Sequence, residues 1–152
     1  MSEQHDFSTA DLIDIAPDTP SCETQFHRFG RHRHFCGKIR TVKCARDNGL
    51  VKTLMNSHSE GEVLVVDGGG SLYSALMGDL IAGAGAANGW AGAVINGAIR
   101  DSEAINTMPF GVKALGTNPR KSAKAGAGEV DITVSFGGVD FIPGHYLYSD
   151  AD

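Results

Sequence analysis

Asp79, Arg100 and Asp101 are the residues of this sequence whose types and spacing can do chemistry together. Gly78-Asp79-Leu80-Ile81 opens a run of small residues that reads as a helix, and the free amides at a helix start bind carboxylates. Arg100 adds a charged donor that the oxygens of a keto acid can share. Asp101 beside it can hold a divalent ion, because Mg²⁺ often takes only one or two protein carboxylates and keeps its waters. Spacing alone leaves a plainer reading open: a surface ion pair of Arg100 with Asp101 or Glu103, with Asp79 no more than an acid in a first helical turn.

Delivering these groups takes a strand, a helix and a second strand. "EVLVVD", ending at Asp67, is a short continuous apolar run, the mark of a strand buried on both faces. The small residues from Ala82 to Ala87 are poor strand formers and Asn88-Gly89 is a fitting stop, so a helix is expected from Asp79 to Asn88. "AGAVIN" follows as a second buried strand, bringing Arg100 and Asp101 to its end.

Asp67-Gly68-Gly69-Gly70 looks at first like a cofactor cradle. The methyltransferase spacing requires glycines two, four and six residues after the acid, and Ser71 and Tyr73 fill two of those places. Tyr73 also occupies the third glycine position of G-x-G-x-x-G. A tight turn is the better reading, and a methyltransferase is set aside on the same ground.

Elsewhere, Ser8 or Thr9 can cap a short amphipathic helix over "ADLIDIA", which Pro17 and Pro20 end. "FCGKIRTVKC" reads as strand, and Leu50 to Asn56 as a helix whose buried stripe is Leu50, Leu54 and Met55. "VKALGT", "DITVSF" and "VDFIPG" read as short strands with turns at Gly137-Gly138 and Pro143-Gly144, and Asn118 to Glu129 as a mobile or functional loop. The whole is one α/β domain with a mixed sheet, and 152 residues suffice to bury about two-thirds of the surface of the unfolded chain.

Composition narrows the function further. No apolar stretch approaches the roughly 20 residues that span a bilayer, and the acidic N-terminus is unlike a signal peptide, so a cytoplasmic protein is expected. Cys22, Cys36 and Cys44 match neither a disulfide framework nor a C-x-x-C site and are expected to be reduced and mostly buried. The net charge is −5, yet 8 of the 13 basic residues crowd between Arg28 and Lys52, opposed only by Asp47. Such a segment reads as a solvated strand face, or one that pairs with acids of a neighbouring subunit, ahead of an RNA surface. His32 and His34 would share one face of a strand there, an arrangement able to bind Zn²⁺ or Ni²⁺, but no third ligand lies nearby in sequence.

The blocks "STADLIDIAPD", "FCGKIRTVKCARDNGLVKTL", "VLVVDGGGSLYSALMGDLIAGAGAANGWAGAVINGAIRD", "GVKALGTNPRKSAKAGAGE" and "FGGVDFIPGHYLYSDAD" cover nearly the whole chain. Together they resemble the regulators of ribonuclease activity A (RraA-like) and the related 4-hydroxy-4-methyl-2-oxoglutarate aldolases. The resemblance implies a single domain over residues 1–152, a swivelling β/β/α, phosphohistidine-domain-like mixed sheet flanked by helices. It also implies a homotrimer with sites at subunit interfaces.

The aldolases carry an acid, twenty intervening residues and then Arg-Asp, which Asp79, Arg100 and Asp101 match; the ribonuclease regulators often lack the final aspartate. By that resemblance the chain is a metal-dependent lyase that releases pyruvate by retro-aldol cleavage and decarboxylates oxaloacetate through the same enolate. The metal, Mg²⁺ or Mn²⁺, would sit on Asp101. Amides of Gly78, Asp79, Leu80 and Ile81 would bind the 2-oxo acid, Arg100 would stabilise the enolate oxygen, and Asp79 would move the hydroxyl proton. The alternative is a non-catalytic inhibitor that binds ribonuclease E; neither membrane nor direct nucleic-acid contact is expected. Family members continue past "YSDAD" with one more strand, which these 152 residues do not include, and His145 stands where an acid is expected after "PG".

Overall fold

The computed structural model describes residues 7–152; the first six residues, part of the acidic N-terminus, lie outside it. Ser8 caps the first helix, α1 (Thr9–Ile15), its hydroxyl accepting from the Asp11 amide at 3.3 Å. No residue of α1 is fully buried. A three-residue strand, β1 (His27–Phe29), was not evident in the sequence and ends at Gly30, whose φ of +87° turns the chain. His32 and His34 therefore lie in a bend and not on one face of a strand; the His34 ring instead meets Phe7 edge to face, 5.4 Å between centroids.

The strand β2 (Phe35–Lys43) falls where "FCGKIRTVKC" predicts. In α2 (Gly49–Met55) the buried stripe is Val51, Leu54 and Met55, with Leu50 only partly buried and packed against the same core. β3 (Val63–Asp67) is buried at every position. The short strand β4 (Ala75–Met77) leads into α3 (Asp79–Ala87), with Asn88 as the C-cap, and β5 (Gly92–Ile99) carries the second buried run. A single-turn helix, α4 (Ser102–Ile105), precedes β6 (Gly111–Thr117).

"DITVSF" is not one strand. β7 (Glu129–Val130) pairs with β2, then Asp131 adopts φ 58° and its carboxylate pairs with Arg40 at 2.9 Å, so the chain leaves the sheet. It re-enters as a separate hairpin, β8 (Val134–Phe136) and β9 (Val139–Phe141), joined by Gly137 and Gly138 at φ 61° and 79°. β10 (Tyr146–Ser149) closes against β2.

The main sheet runs β1-β6-β5-β3-β2-β10, with β4 beside β5 and β7 beside β2. Its centre, β2, β3, β5 and β6, is parallel, and both edges are antiparallel. Period-two alternation splits β3 cleanly: Leu64 and Val66 join α2, α3, α4, Phe110 and Ile95 on one side, while Val63 and Val65 join Phe35, Val134 and Phe141 on the other. The result is three layers, hairpin, sheet and helices, a mixed α/β domain in which α2, α3 and α4 cover one face. The small face of α3 permits close packing, since a Cβ at Gly85 would collide with Met55 Sδ and come 3.2 Å from Phe110.

Candidate functional site

β4 and β5 run parallel and end side by side, the Arg100 amide donating to Met77 O at 3.0 Å. Directly beyond those ends the chain turns into α3 on one strand and α4 on the other, so the free amides of a helix start and the Arg100-Asp101 pair meet at the carboxyl edge of a parallel sheet. That edge is where ligands bind in open α/β folds.

Asp101 adopts a left-handed backbone, φ 59° and ψ 40°, a conformation that Asp tolerates better than most residues. The turn folds its carboxylate back so that Oδ2 accepts from the Asp79 amide at 3.3 Å and lies 3.8 Å from Arg100 Nε. Gly78 is small because the space is taken: a Cβ there would stand 3.0 Å from Asp101 Oδ2 and 3.4 Å from Arg100 Nε. The ion pair is half-open, with side-chain exposures of 37 % for Arg100 and 41 % for Asp101. In the same turn, Leu80 and Ile81 precede the first intrahelical bond, which Ala82 makes to Gly78 O.

The third wall comes from the loop after β6. Asn118 donates its amide to Ile99 O at 3.0 Å and its side chain to Leu72 O at 2.8 Å. Pro119 O accepts from Arg100 Nη1 at 3.3 Å, which aims the guanidinium. The loop is stapled along its length. The buried Asp47 carboxylate accepts from Gly49, Gly126 and Ala125 amides at 2.9, 3.0 and 3.1 Å, and backbone bonds join Ala123 to Arg46 and Asn48. Those amide bonds, the Gly49 one foremost, hold the Asp47 carboxyl below its ordinary range.

The structure thus brings Gly78, Asp79, Leu80, Ile81, Arg100 and Asp101 to one place. Asn118, Pro119 and Asp47 were missed in sequence; the polar composition of residues 118–129 marked the loop, but a carbonyl that aims an arginine leaves no signature in residue type. The glycine turn lies outside the site. Asp67 Oδ1 is taken by the Gly69 amide at 2.9 Å and by Asn96 Nδ2 at 3.1 Å, and Gly68 and Gly70 both donate to Asn96 O. Gly69 and Gly70 sit at φ 68° and 76°, which only glycine adopts cheaply.

A metal has one ready anchor here, since Asp101 Oδ1 has no partner among the described residues. No group of three His, Cys, Asp or Glu side chains converges among those residues. A Zn²⁺ site of the three-ligand kind is therefore not built, whereas a Mg²⁺- or Mn²⁺-type ion on one carboxylate with waters fits the donors present.

A hairpin/sheet/helix sandwich with an Arg-Asp pair at its parallel strand ends defines a swivelling β/β/α domain. The chain belongs to the RraA-like family, Aldolase/RraA, whose model matches residues 9–152. It is similar to the S-adenosylmethionine:2-dimethylmenaquinone methyltransferase from Geobacillus kaustophilus, with 46% identity over 95% of this chain and 91% of that one and a TM-score of 0.93. It is also similar to the RNA-processing inhibitor RraA from Thermus thermophilis, at 41% identity over 97% and 90% of the two chains and a TM-score of 0.94. Streptomyces coelicolor RraAS2, a member of the RNase ES inhibitor RraA protein family, shares the fold at 23% identity, 91% and 72% coverage and a TM-score of 0.73. Among the described residues no helix is long and apolar enough to cross a membrane.

Proposed function

We propose that the chain is a divalent-metal-dependent lyase, a 4-hydroxy-4-methyl-2-oxoglutarate aldolase that also decarboxylates oxaloacetate. The observation that carries this reading is the Arg100-Asp101 pair folded against the α3 start, with Asp79 in the same turn.

The Leu80 and Ile81 amides bind the carboxylate of the 2-oxo acid, while the Asp79 amide is shared with Asp101. The Asp79 carboxylate takes the proton from the C4 hydroxyl, the C3–C4 bond breaks, and its electron pair becomes the enolate of pyruvate. Arg100, aimed by Pro119 O, stabilises the oxyanion that grows in this step, and its effect is largest in the transition state. An ion on Asp101 would supply Lewis-acid polarisation of the keto oxygen. Loss of CO₂ from oxaloacetate leaves the same enolate, so one site serves both reactions.

Asp101→Asn is expected to abolish metal-dependent pyruvate release from both substrates; full activity in that variant, or in the presence of a chelator, would sink the proposal. We also place the site at the boundary of a homotrimer. Leu80 sits in the site's own helical turn at 84 % exposure, an apolar side chain that a second subunit would cover.

A second reading has support from the Thermus relative: a non-catalytic regulator that binds a ribonuclease of the E type through its surface. A pull-down with ribonuclease E alongside the pyruvate assay separates the two. A methyltransferase reading gains nothing from the geometry, because the acid that would bind a cofactor ribose, Asp67, is buried and engaged by Gly69 and Asn96.

A further inference from the structure

On the far side of the Asn118-Pro119 wall from the Arg100-Asp101 pair, the loop from β3 to β4 presents Tyr73, about half exposed. The Arg46 guanidinium carbon lies 3.9 Å from the ring centroid and that of Arg120 lies 4.2 Å from it. Both guanidiniums stack on the one ring.

Three observations set this stack apart from ordinary surface polarity. First, neither arginine forms an ion pair among the described residues, although the chain carries a net charge of −5. Second, Arg46 holds φ +56°, a backbone that costs a side-chain-bearing residue roughly 1–2 kcal/mol and that glycine would adopt freely. Third, the parts are fixed in advance: Arg46 O accepts from Ala123, and Arg120 Nη1 donates to Tyr73 O at 3.2 Å. Lys121 and Lys124 are exposed on the same loop.

A guanidinium stacked on Tyr73 has spent one face. Both arginines are exposed, so the outer face can take a nucleobase and the remaining in-plane N–H groups phosphates, the pairing of contacts that single-stranded nucleic acid offers. An acidic peptide would use the charges and leave the planes idle. We propose that the Arg46-Tyr73-Arg120 stack is a contact surface for single-stranded RNA. This departs from the expectation of no nucleic-acid contact, which rested on reading the basic segment as strand, whereas Arg46 lies past the end of β2 and acts with a distant loop.

The test is fluorescence anisotropy of the full chain with a labelled, unstructured RNA of about ten nucleotides. Binding is expected to weaken roughly tenfold in the Arg46→Gln, Arg120→Gln double variant. The slope of log affinity against log salt should flatten by about 0.7 for each arginine removed. Arg46→Gly provides the control for folding: it relieves the backbone strain, so thermal stability should hold or rise while RNA binding falls. Tyr73→Phe, which keeps the ring, should bind as the parent does. Undetectable RNA binding by the parent chain, or an unchanged salt slope in the double variant, overturns the proposal. Displacement of the RNA by polyglutamate more effectively than by unlabelled RNA also overturns it, in favour of an acidic-peptide surface.

Discussion

At the scale of single residues, the three cysteines show how burial decides chemistry. Cys44 is buried, and burial, then the negative charges of Asp47 and Asp67, push its thiol up to about 11. Cys36 is exposed on β2, contrary to the expectation of mostly buried thiols, where β2 pairs with the edge strand β10. Alkylation with iodoacetamide at about pH 8 should modify Cys36 in the folded protein and leave Cys44 untouched until denaturant is added, as mass spectrometry of the peptides would show. Residue types also marked Asp79, Arg100 and Asp101 as candidates in sequence, while spacing alone left a surface ion pair open and the family resemblance supplied their roles. The left-handed turn of Asp101 was not legible. It depends on how α4 leaves β5, and only that turn brings the carboxylate onto the Asp79 amide.

Elements tell a different story. The buried strands and α3 were readable from period and composition alone, since continuous apolar runs and a stripe of small residues have few other uses. The short strands β1, β4 and β10 were not, because three or four residues carry too little periodicity and owe their existence to partners far away in sequence. The loop of residues 118–128 belongs to the same class, being held by Asp47 from more than seventy residues earlier in the chain. That carboxyl has a folded pKa below its unfolded value of about 3.9. Its contribution to stability is therefore complete above that value and is lost as pH falls through the lower, folded one. Asp47→Asn is expected to lower the thermal midpoint near neutral pH and to flatten its decline below about pH 4. An acid limb as steep as the parent's would show that the latch contributes nothing there.

For the whole molecule, the layered architecture was within reach of the sequence, and the family model over residues 9–152 agrees with it. The proposed association was not, because in a single chain it would show only as exposed apolar side chains such as Ile15 and Leu80, at 80 % and 84 % exposure. Sedimentation equilibrium should return three times the chain mass of 16.0 kDa, and Leu80→Asp should shift the distribution toward smaller species. A monomer at micromolar concentration would remove the subunit-boundary site.

β5 pairs with β3 along its first half and with β4 along its second, so one strand holds both ends of the glycine turn between them. The seven residues from Gly68 to Ser74 are thus an excursion from a fixed rail. Lengthening such an excursion costs only about 0.6 kcal/mol per doubling in closure entropy, and neither flanking register need change. This makes the segment a place where descendants of the fold can acquire or discard a surface, Tyr73 included, provided that Leu72 O still holds Asn118 beside the chemistry at the end of the same rail.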